Sequence, residues 1–360
     1  MIHVNGTRGK TGIVRLIHAG LSYAGKVAIS KTTGTNARII HFDSNETSVR
    51  RWSRPSILEQ IRFLTKAFLE KAKIVIVECM AIDPKYQFAS EIQIVRSNIG
   101  IISNVRNDHL EVMGPSLVDV QKAFANAIPK NGRLVLHRGE FNPIWEKACL
   151  DRNTSIHFVE DNTLEFVSDR IISQFRYLEH KENIAMALQV CEMIGVSKEV
   201  SIQGMMAMKP YPGALELLRI QFFGKDFFFL NALAANDPES SRKIWTSYKQ
   251  KLSEYGIFQL LFHCREDRMN RSIQLAQEIA KWEGFSTIFL TGEGTQVAIE
   301  ALKRYPKKGM QVFNLEGYPP EQVFESILAN SPLRFVLVGI GNIGGEGLEI
   351  VKLFKNRSSH

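Results

Sequence analysis

The chain has 360 residues, 44% of them apolar and 23% charged, with a formal net charge of +8 and a pI near 9.2. That length suits two domains, and the composition excludes a disordered or fibrous chain. The scattered cysteines Cys79, Cys149, Cys191 and Cys264 form no CxxC pair, which argues against a zinc ribbon or disulfide framework and fits a reducing cytoplasm. No run approaches the roughly 20 apolar residues of a membrane span, and with a chemically loaded motif within the first dozen residues no signal peptide is expected. The basic balance favours polyanionic partners, but the Lys and Arg residues are too dispersed for a nucleic-acid arm, and no nucleic-acid partner is expected.

In chain order, the first 160 residues alternate short apolar runs with helical patterns, the signature of βαβ units and a mainly parallel sheet. Strands are expected at Ile2–Val4, Val27–Ile29, Ile74–Val77, Ile99–Ser103 and Leu134–Leu136. After the first strand, Val14, Ile17 and Leu21 are in helical register. A second helix is expected from Ser56, with Ser56 and Glu59 as a capping box and Ile57, Ile61, Leu64 and Phe68 on its buried face. A third starts at about His180, with Ile184, Leu188 and Cys191 inward and Gly195 at its end. Pro210-Tyr211-Pro212-Gly213 breaks the pattern and divides the chain into domains 1–213 and 214–360. A hairpin (Leu215–Phe222, Phe227–Leu230, turning at Gly224-Lys225) opens the second domain. Strands at Phe258–Phe262, Thr287–Leu290, Gln311–Asn314 and Phe335–Val338 then alternate with helices. The expected fold is therefore two α/β domains in sequence.

Four segments carry chemistry. Asn5-Gly6-Thr7-Arg8-Gly9-Lys10-Thr11 lies between the first strand and the first helix. Glycines let backbone N–H groups approach an anion, and the helix N-terminus adds partial positive charge. Lys10 can reach the outer phosphates and the Thr11 hydroxyl can ligate Mg²⁺. The loop is shorter than GxxxxGK[ST], so a tight turn that happens to contain Gly and Lys is the bland reading. Glu78 follows the strand Ile74–Val77, and Asn104, Asp108 and His109 follow Ile99–Ser103. In an open parallel sheet these all reach the carboxyl edge, where ligands bind. A carboxylate and an imidazole beside phosphates suit a divalent metal. Lys31-Thr32-Thr33-Gly34-Thr35-Asn36-Ala37-Arg38 shares that edge. Its hydroxyls could serve metal or phosphate and Arg38 could hold a carboxylate, or the segment is a Thr-rich surface loop. Further on, Cys264-Arg265-Glu266-Asp267-Arg268 with Arg271 suits phosphate or carboxylate recognition, though a solvated charged turn is the default. Gly339-Ile340-Gly341-Asn342-Ile343-Gly344 matches GxGxxG, but fewer than 20 residues follow it, too few for a dinucleotide site. It reads as a close-packed turn.

Taken together, NGTRGK at 5–10, KTTGTNAR at 31–38, ECMA at 78–81, NVRNDHLEVMGP at 104–115, PGA at 212–214, NALAAND at 231–237, CREDR at 264–268 and GIGNIGG at 339–345 resemble the Mur ligase superfamily. The resemblance is strongest to the ligase subunit of poly-γ-glutamate synthases. It implies a P-loop Mur-ligase-like domain with a mainly parallel sheet, followed by a smaller Rossmann-like α/β domain. It also implies ATP- and Mg²⁺-dependent amide formation through an acyl phosphate, with glutamate and an acidic poly-γ-glutamyl acceptor as substrates.

On that model Lys10, Glu78 and His109 are catalytic, and Asn5, Gly6, Thr7, Arg8, Gly9, Lys10 and Thr11 bind the nucleotide phosphates. Asn183 sits near the adenine, and Asn236, Asp237, Arg265 and Arg268 reach the nucleotide from the second domain. Arg38 binds substrate, and Thr11, Thr33, Glu78 and His109 hold metal. Many members carry a carbamylated lysine, and Lys122 lies in that region. Ala214 replaces an arginine found in several relatives. The resemblance also implies a homo-oligomer in the cytoplasm, at the inner face of the membrane where other subunits of a synthase and export complex hold it. A ligase of the folyl-polyglutamate or peptide type, and a non-catalytic nucleotide-gated partner of an export complex, are the alternatives.

Overall fold

A computed structural model describes residues 1–33, 36–51, 55–211, 213–305 and 309–358. Gly34, Thr35 and Pro212, which belong to three of the segments above, lie outside the described residues. The chain forms two compact units, Met1–Lys209 and Pro210–His360.

In the first unit the strands are β1 (Ile2–Asn5), β2 (Ala28–Lys31), β3 (Arg38–Ile40), β4 (Glu46–Ser48), β5 (Ile74–Glu78), β6 (Ile99–Ile102), β7 (Arg133–Leu136) and β8 (Ser155–Phe158). They form one sheet in the order β4-β3-β2-β5-β1-β6-β7-β8. All neighbours are parallel except the β2–β3–β4 meander. The central strands are near-continuous apolar runs because helices cover both faces. β1 lies between β5 and β6, with Val4 opposite Glu78 and Asn5 opposite Ile102. The chain passes from β1 to β2 on one side and from β5 to β6 on the other, so the carboxyl end of β1 stands at the point where strand order reverses. In open α/β sheets ligands bind at such a point.

Helix α1 (Lys10–Tyr23) packs Val14, Ile17 and Leu21 into the core, all fully buried. Helix α2 (Glu59–Leu69) corrects the sequence expectation twice. It starts three residues after Ser56. The Ser56 N–H reaches Glu59 Oε1, but the Ser56 hydroxyl accepts from Leu58 N–H. Its inward face is Gln60, Phe63 and Ala67, with Leu64 half-buried, whereas Ile61 is 48% and Phe68 82% exposed. Leu64 lies on the border of both faces. The rotation is settled by Phe63, which joins Ile29, Val77 and Val95, and by Gln60, whose Nε2 donates to the Glu78 carbonyl at 3.1 Å.

Helix α3 (Pro84–Phe88) continues into a π-helical turn, Ala89–Val95. Helices α4 (Leu110–Met113) and α5 (Leu117–Ala125) follow β6. The helix Lys181–Met193 buries Ile184, Leu188 and Cys191. It ends as expected at Gly195 (φ 83°), where Val196 N–H bonds the Cys191 carbonyl and Gly195 N–H the Glu192 carbonyl, the Schellman pattern.

The second unit has strands β9 (Glu216–Phe222), β10 (Lys225–Asn231), β11 (Ile257–Cys264), β12 (Thr287–Gly292), β13 (Gln311–Asn314) and β14 (Arg334–Gly341). Their order is β13-β12-β11-β14-β10-β9, parallel except for β9. The hairpin turns at Phe223-Gly224, both at positive φ as a type I′ turn requires. Its core is aromatic, with Phe227 stacked on Phe335 at 4.3 Å and Phe354 packed against Phe229 at 4.2 Å. The Gly339–Gly344 turn is closely packed: a Cβ on Gly341 (φ 120°) would lie 2.3 Å from the His263 carbonyl oxygen. Among the described residues no helix is long and apolar enough to cross a membrane.

Candidate active site

The loop after β1 is held from beneath by its own sheet. Thr7 N–H bonds the Asn104 carbonyl at 2.9 Å, and Arg8 N–H donates to Asn104 Oδ1 at 3.0 Å. Asn104 Nδ2 and the Ser103 hydroxyl both donate to the Arg8 carbonyl, at 3.1 and 2.6 Å. The Thr7 hydroxyl accepts from Arg106 N–H. The segment after β6 is thus a cradle for the loop. Gly6 (φ 125°) and Gly9 (φ 83°) are the positions where a side chain cannot stand. A Cβ on Gly6 would meet Ser103 Oγ at 2.1 Å, and one on Gly9 would meet Asn183 Oδ1 at 2.7 Å. Gly9 is the N-cap of α1, and no side chain caps that helix, so its first-turn N–H groups are left for a ligand.

Lys10 bends back over the loop, its ammonium donating to the carbonyls of Gly6 (2.6 Å) and Thr7 (3.2 Å). Burial holds its pKa below the usual lysine value, with Arg8 adding to that and Glu78 working against it. A half-buried ammonium that donates to two loop carbonyls is the partner a polyphosphate would take up. Glu78, 3% exposed at the end of β5, accepts at Oε2 from the Thr11 hydroxyl (2.9 Å) and from Thr33 N–H (2.8 Å). Thr11, Thr33 and Glu78 therefore converge at one point beside the loop.

The His109 segment reaches the loop by another route. Asp108 lies 3.4 Å from Arg8 Nη2 and 3.8 Å from His109 Nε2, while His109 Nδ1 is 3.2 Å from Glu111. His109 itself has left-handed backbone (φ 50°) at the start of α4. Among the described residues no three of His, Cys, Asp and Glu converge as a ready-made metal cage. A carboxylate with a threonine hydroxyl beside a phosphate loop is a donor set that fits Mg²⁺, which keeps several waters and takes one or two protein ligands plus substrate phosphates. The uncapped helix, the inward-turned Lys10 and the Thr11–Glu78 pair fit a nucleotide polyphosphate with a divalent cation.

Other expected residues have local roles. Asn183 lies against Gly9 and donates to Glu179 Oε1 at 2.8 Å, and burial pushes the Glu179 carboxyl up. Arg38 begins β3 and bonds the Ser48 hydroxyl at 2.9 Å. Lys122 is exposed on α5, 3.4 Å from Asp119. In the second unit Asp237 caps the helix Pro238–Lys251 through Ser240 N–H (2.9 Å), beside Asn236. Arg265 is gripped by Asp267 at 2.9 and 2.7 Å, and Arg268 stands at the N-cap of the helix Met269–Ile279.

Two groups at the site have roles that the motifs do not announce, although Lys31 heads the segment 31–38. Lys31, at the end of β2, is fully buried with Nζ 3.5 Å from Glu59 Oε2, and Glu59 in turn binds Arg51 at 2.9 Å. Burial lowers the Lys31 pKa, and Glu59 and Glu78 pull it back up. Gln60, which holds the Glu78 carbonyl, is the other. A Lys at a strand's carboxyl end and a polar residue on the inner face of α2 are the signals that point to them.

Comparison with known proteins matches residues 4–236 to the Mur ligase middle domain and residues 217–357 to the poly-γ-glutamate synthase CapB C-terminal domain. The chain belongs to the Mur ligase family, in its CapB branch. It is 32% identical to the capsule biosynthesis protein CapB of Bacillus anthracis over 358 residues, 98% of this chain and 75% of that one. To the PGA synthase CapB of Bacillus subtilis (strain 168) it is 31% identical, over 98% of this chain and 89% of the relative. Among solved structures, E. coli FolC in complex with DHPP and ADP superposes with a TM-score of 0.68 at 12% identity, covering 99% of this chain and 89% of that one. MurF from Acinetobacter baumannii gives 0.65 at 14%, over 99% and 76%. These two share the fold. As a family member the chain is an ATP-dependent amide ligase, and the expected two-part α/β architecture is the one observed.

Proposed function

We propose that this ligase extends poly-γ-glutamate, joining the γ-carboxyl of one glutamyl residue to the amine of the next with ATP and Mg²⁺. Two CapB relatives matched over 98% of the chain support the polymer, and the convergence of Thr11, Thr33 and Glu78 beside Lys10 carries the mechanism. The first-turn amides of α1 and the Lys10 ammonium hold the β- and γ-phosphates and neutralise the charge that builds as phosphoryl transfer proceeds. Thr11 and Glu78, with Thr33, would hold one Mg²⁺, and His109 would help hold a second; bound metal would supply Lewis-acid stabilisation of the phosphate oxygens. Asn183 borders the nucleotide at Gly9, and Arg38 serves the substrate carboxylate. In the first half-reaction the carboxylate oxygen attacks the γ-phosphorus of ATP, the bond to the β-phosphate oxygen breaks, ADP departs and an acyl phosphate remains. The amine of the incoming glutamate then attacks its carbonyl carbon, phosphate departs, and the amide remains. The net positive charge of the chain suits an acidic polymer. Membrane subunits and self-association belong to the same reading.

The test is incubation with ATP, Mg²⁺ and each amino acid in turn, reading phosphate release and product mass. A ladder spaced by glutamyl units is expected, and Lys10→Ala should abolish glutamate-dependent ADP release. Product limited to another amino acid, or nucleotide binding with no amide, would overturn the reading. A rate for Lys10→Ala equal to wild type would remove Lys10 from the chemistry.

A further inference from the structure

The face of β1 turned toward α3 carries two polar side chains, His3 and Asn5, two residues apart and so on one side of the strand. Both are buried, at 1% and 3% exposure. Opposite them α3 and its π-helical continuation present Gln87 and Glu91, four residues apart and fully buried. Glu91 binds His3 Nδ1 at 2.7 Å and accepts from Ser97 N–H and its hydroxyl at 2.8 and 3.0 Å. That pair anchors the strand. Gln87 does something more specific. Its Nε2 donates to the Ile82 carbonyl at 2.9 Å, which leaves Oε1 facing Asn5. Asn5 must then present Nδ2 to it (3.0 Å), and this turns Asn5 Oδ1 toward Gly6 N–H, which it accepts at 2.9 Å. Each amide in the series fixes the orientation of the next. A flip at either would set N–H against N–H or oxygen against oxygen in a buried site.

We propose that Gln87 is a positioning residue for the phosphate loop, acting through Asn5 to hold the first loop peptide, Asn5–Gly6, in the orientation that nucleotide binding requires. The Gly6 N–H is committed to Asn5 and the Thr7 and Arg8 N–H groups to Asn104, the chain enters the loop at φ 125°, and the donors left for phosphate lie beyond Arg8. Gln87 touches neither nucleotide nor substrate. The inference rests on the reading of the loop as a nucleotide site.

The test is a double-mutant cycle of Gln87→Met and Asn5→Ala, with ADP affinity measured by calorimetry and ATP and glutamate KM by phosphate release. Gln87→Met should weaken ADP binding about tenfold, the effect of one lost buried hydrogen bond, and raise the ATP KM while leaving the glutamate KM in place. In the Asn5→Ala background it should add little, because its effect passes through Asn5. Unchanged ADP affinity in Gln87→Met, or additive losses in the double variant, would overturn the proposal. If Gln87→Met does not fold, Gln87→Glu carries the test. Its protonated carboxyl can reproduce both bonds and its ionised form cannot donate to Ile82, so ADP affinity should fall with rising pH more steeply than in wild type; parallel pH profiles would overturn it. Failure of the wild type to bind ADP would instead sink the nucleotide reading of the loop, a separate result.

Discussion

Gly6→Ala isolates the loop geometry from its charge. At φ 125° a Cβ costs about 1–3 kcal/mol in backbone strain alone. The added atom would lie 2.1 Å from Ser103 Oγ, which can move only by giving up its 2.6 Å bond to the Arg8 carbonyl, a loss of about 1 kcal/mol. It would also lie 2.9 Å from Ser103 N and 3.1 Å from Asn104 N, and backbone on β6 and its continuation cannot rotate away. The loop must therefore shift against its cradle, at a total of about 2–4 kcal/mol, which converts to a loss of roughly 30- to 1000-fold wherever it falls on nucleotide affinity. Thermal unfolding with and without ADP divides the cost between folding and binding, and calorimetry gives the affinity directly. A variant with wild-type melting temperature and wild-type ADP affinity would refute the account of Gly6 as a forced close approach.

Glu78→Gln keeps the size of the side chain and an oxygen for Thr11 and Thr33, but removes the charge. The Mg²⁺ concentration for half-maximal rate should rise by at least about tenfold, and a titration of rate against Mg²⁺ superimposing on wild type would remove Glu78 from the metal. His3 gives a pH test. Burial opposes its charge, but Cys79 and Glu91 outweigh that and its pKa is pushed up to about 10. The group is raised in the folded state, so its contribution is complete below the unfolded value near 6.5 and is lost as pH rises through about 10, at up to about 1.4 kcal/mol per pH unit. Urea unfolding of wild type and His3→Gln should therefore converge in stability from pH 6.5 to pH 10; a gap constant across that window would refute the charged pair.

The strands of both units and the loop after β1 are legible because each is written locally, as an apolar run ending in glycine or a charge. The gathering of Glu78, Thr33 and the His109 segment at that loop follows from parallel strands sharing a carboxyl edge, a rule of the sheet as a whole. What the sequence withholds is pairing across distance. Gln87 and Gln60 look like ordinary helical glutamines until the sheet places them under Asn5 and Glu78. Lys31 looks like a surface lysine until Glu59 arrives opposite it. Periodicity placed Ile61 and Phe68 inward on α2 because it cannot choose between adjacent faces that share Leu64; contact with Phe63's neighbours makes that choice. The strands β3, β4 and β8 escape notice because they are only three or four residues long, β4 is wholly exposed and β8 has no fully buried residue.

That small meander has a consequence for the company the protein keeps. β4 is an edge strand, and an edge offers unpaired N–H and C=O groups to any other extended chain. Here the edge is three residues long, and its exposed Glu46 is held in a two-point grip by Arg15 of α1, at 2.6 and 2.8 Å. The arginine is 3% exposed. Shortness and charge on the edge are devices by which sheets refuse to recruit strands from neighbouring molecules. The helix that leaves the phosphate loop thus also closes the sheet's open side against self-aggregation.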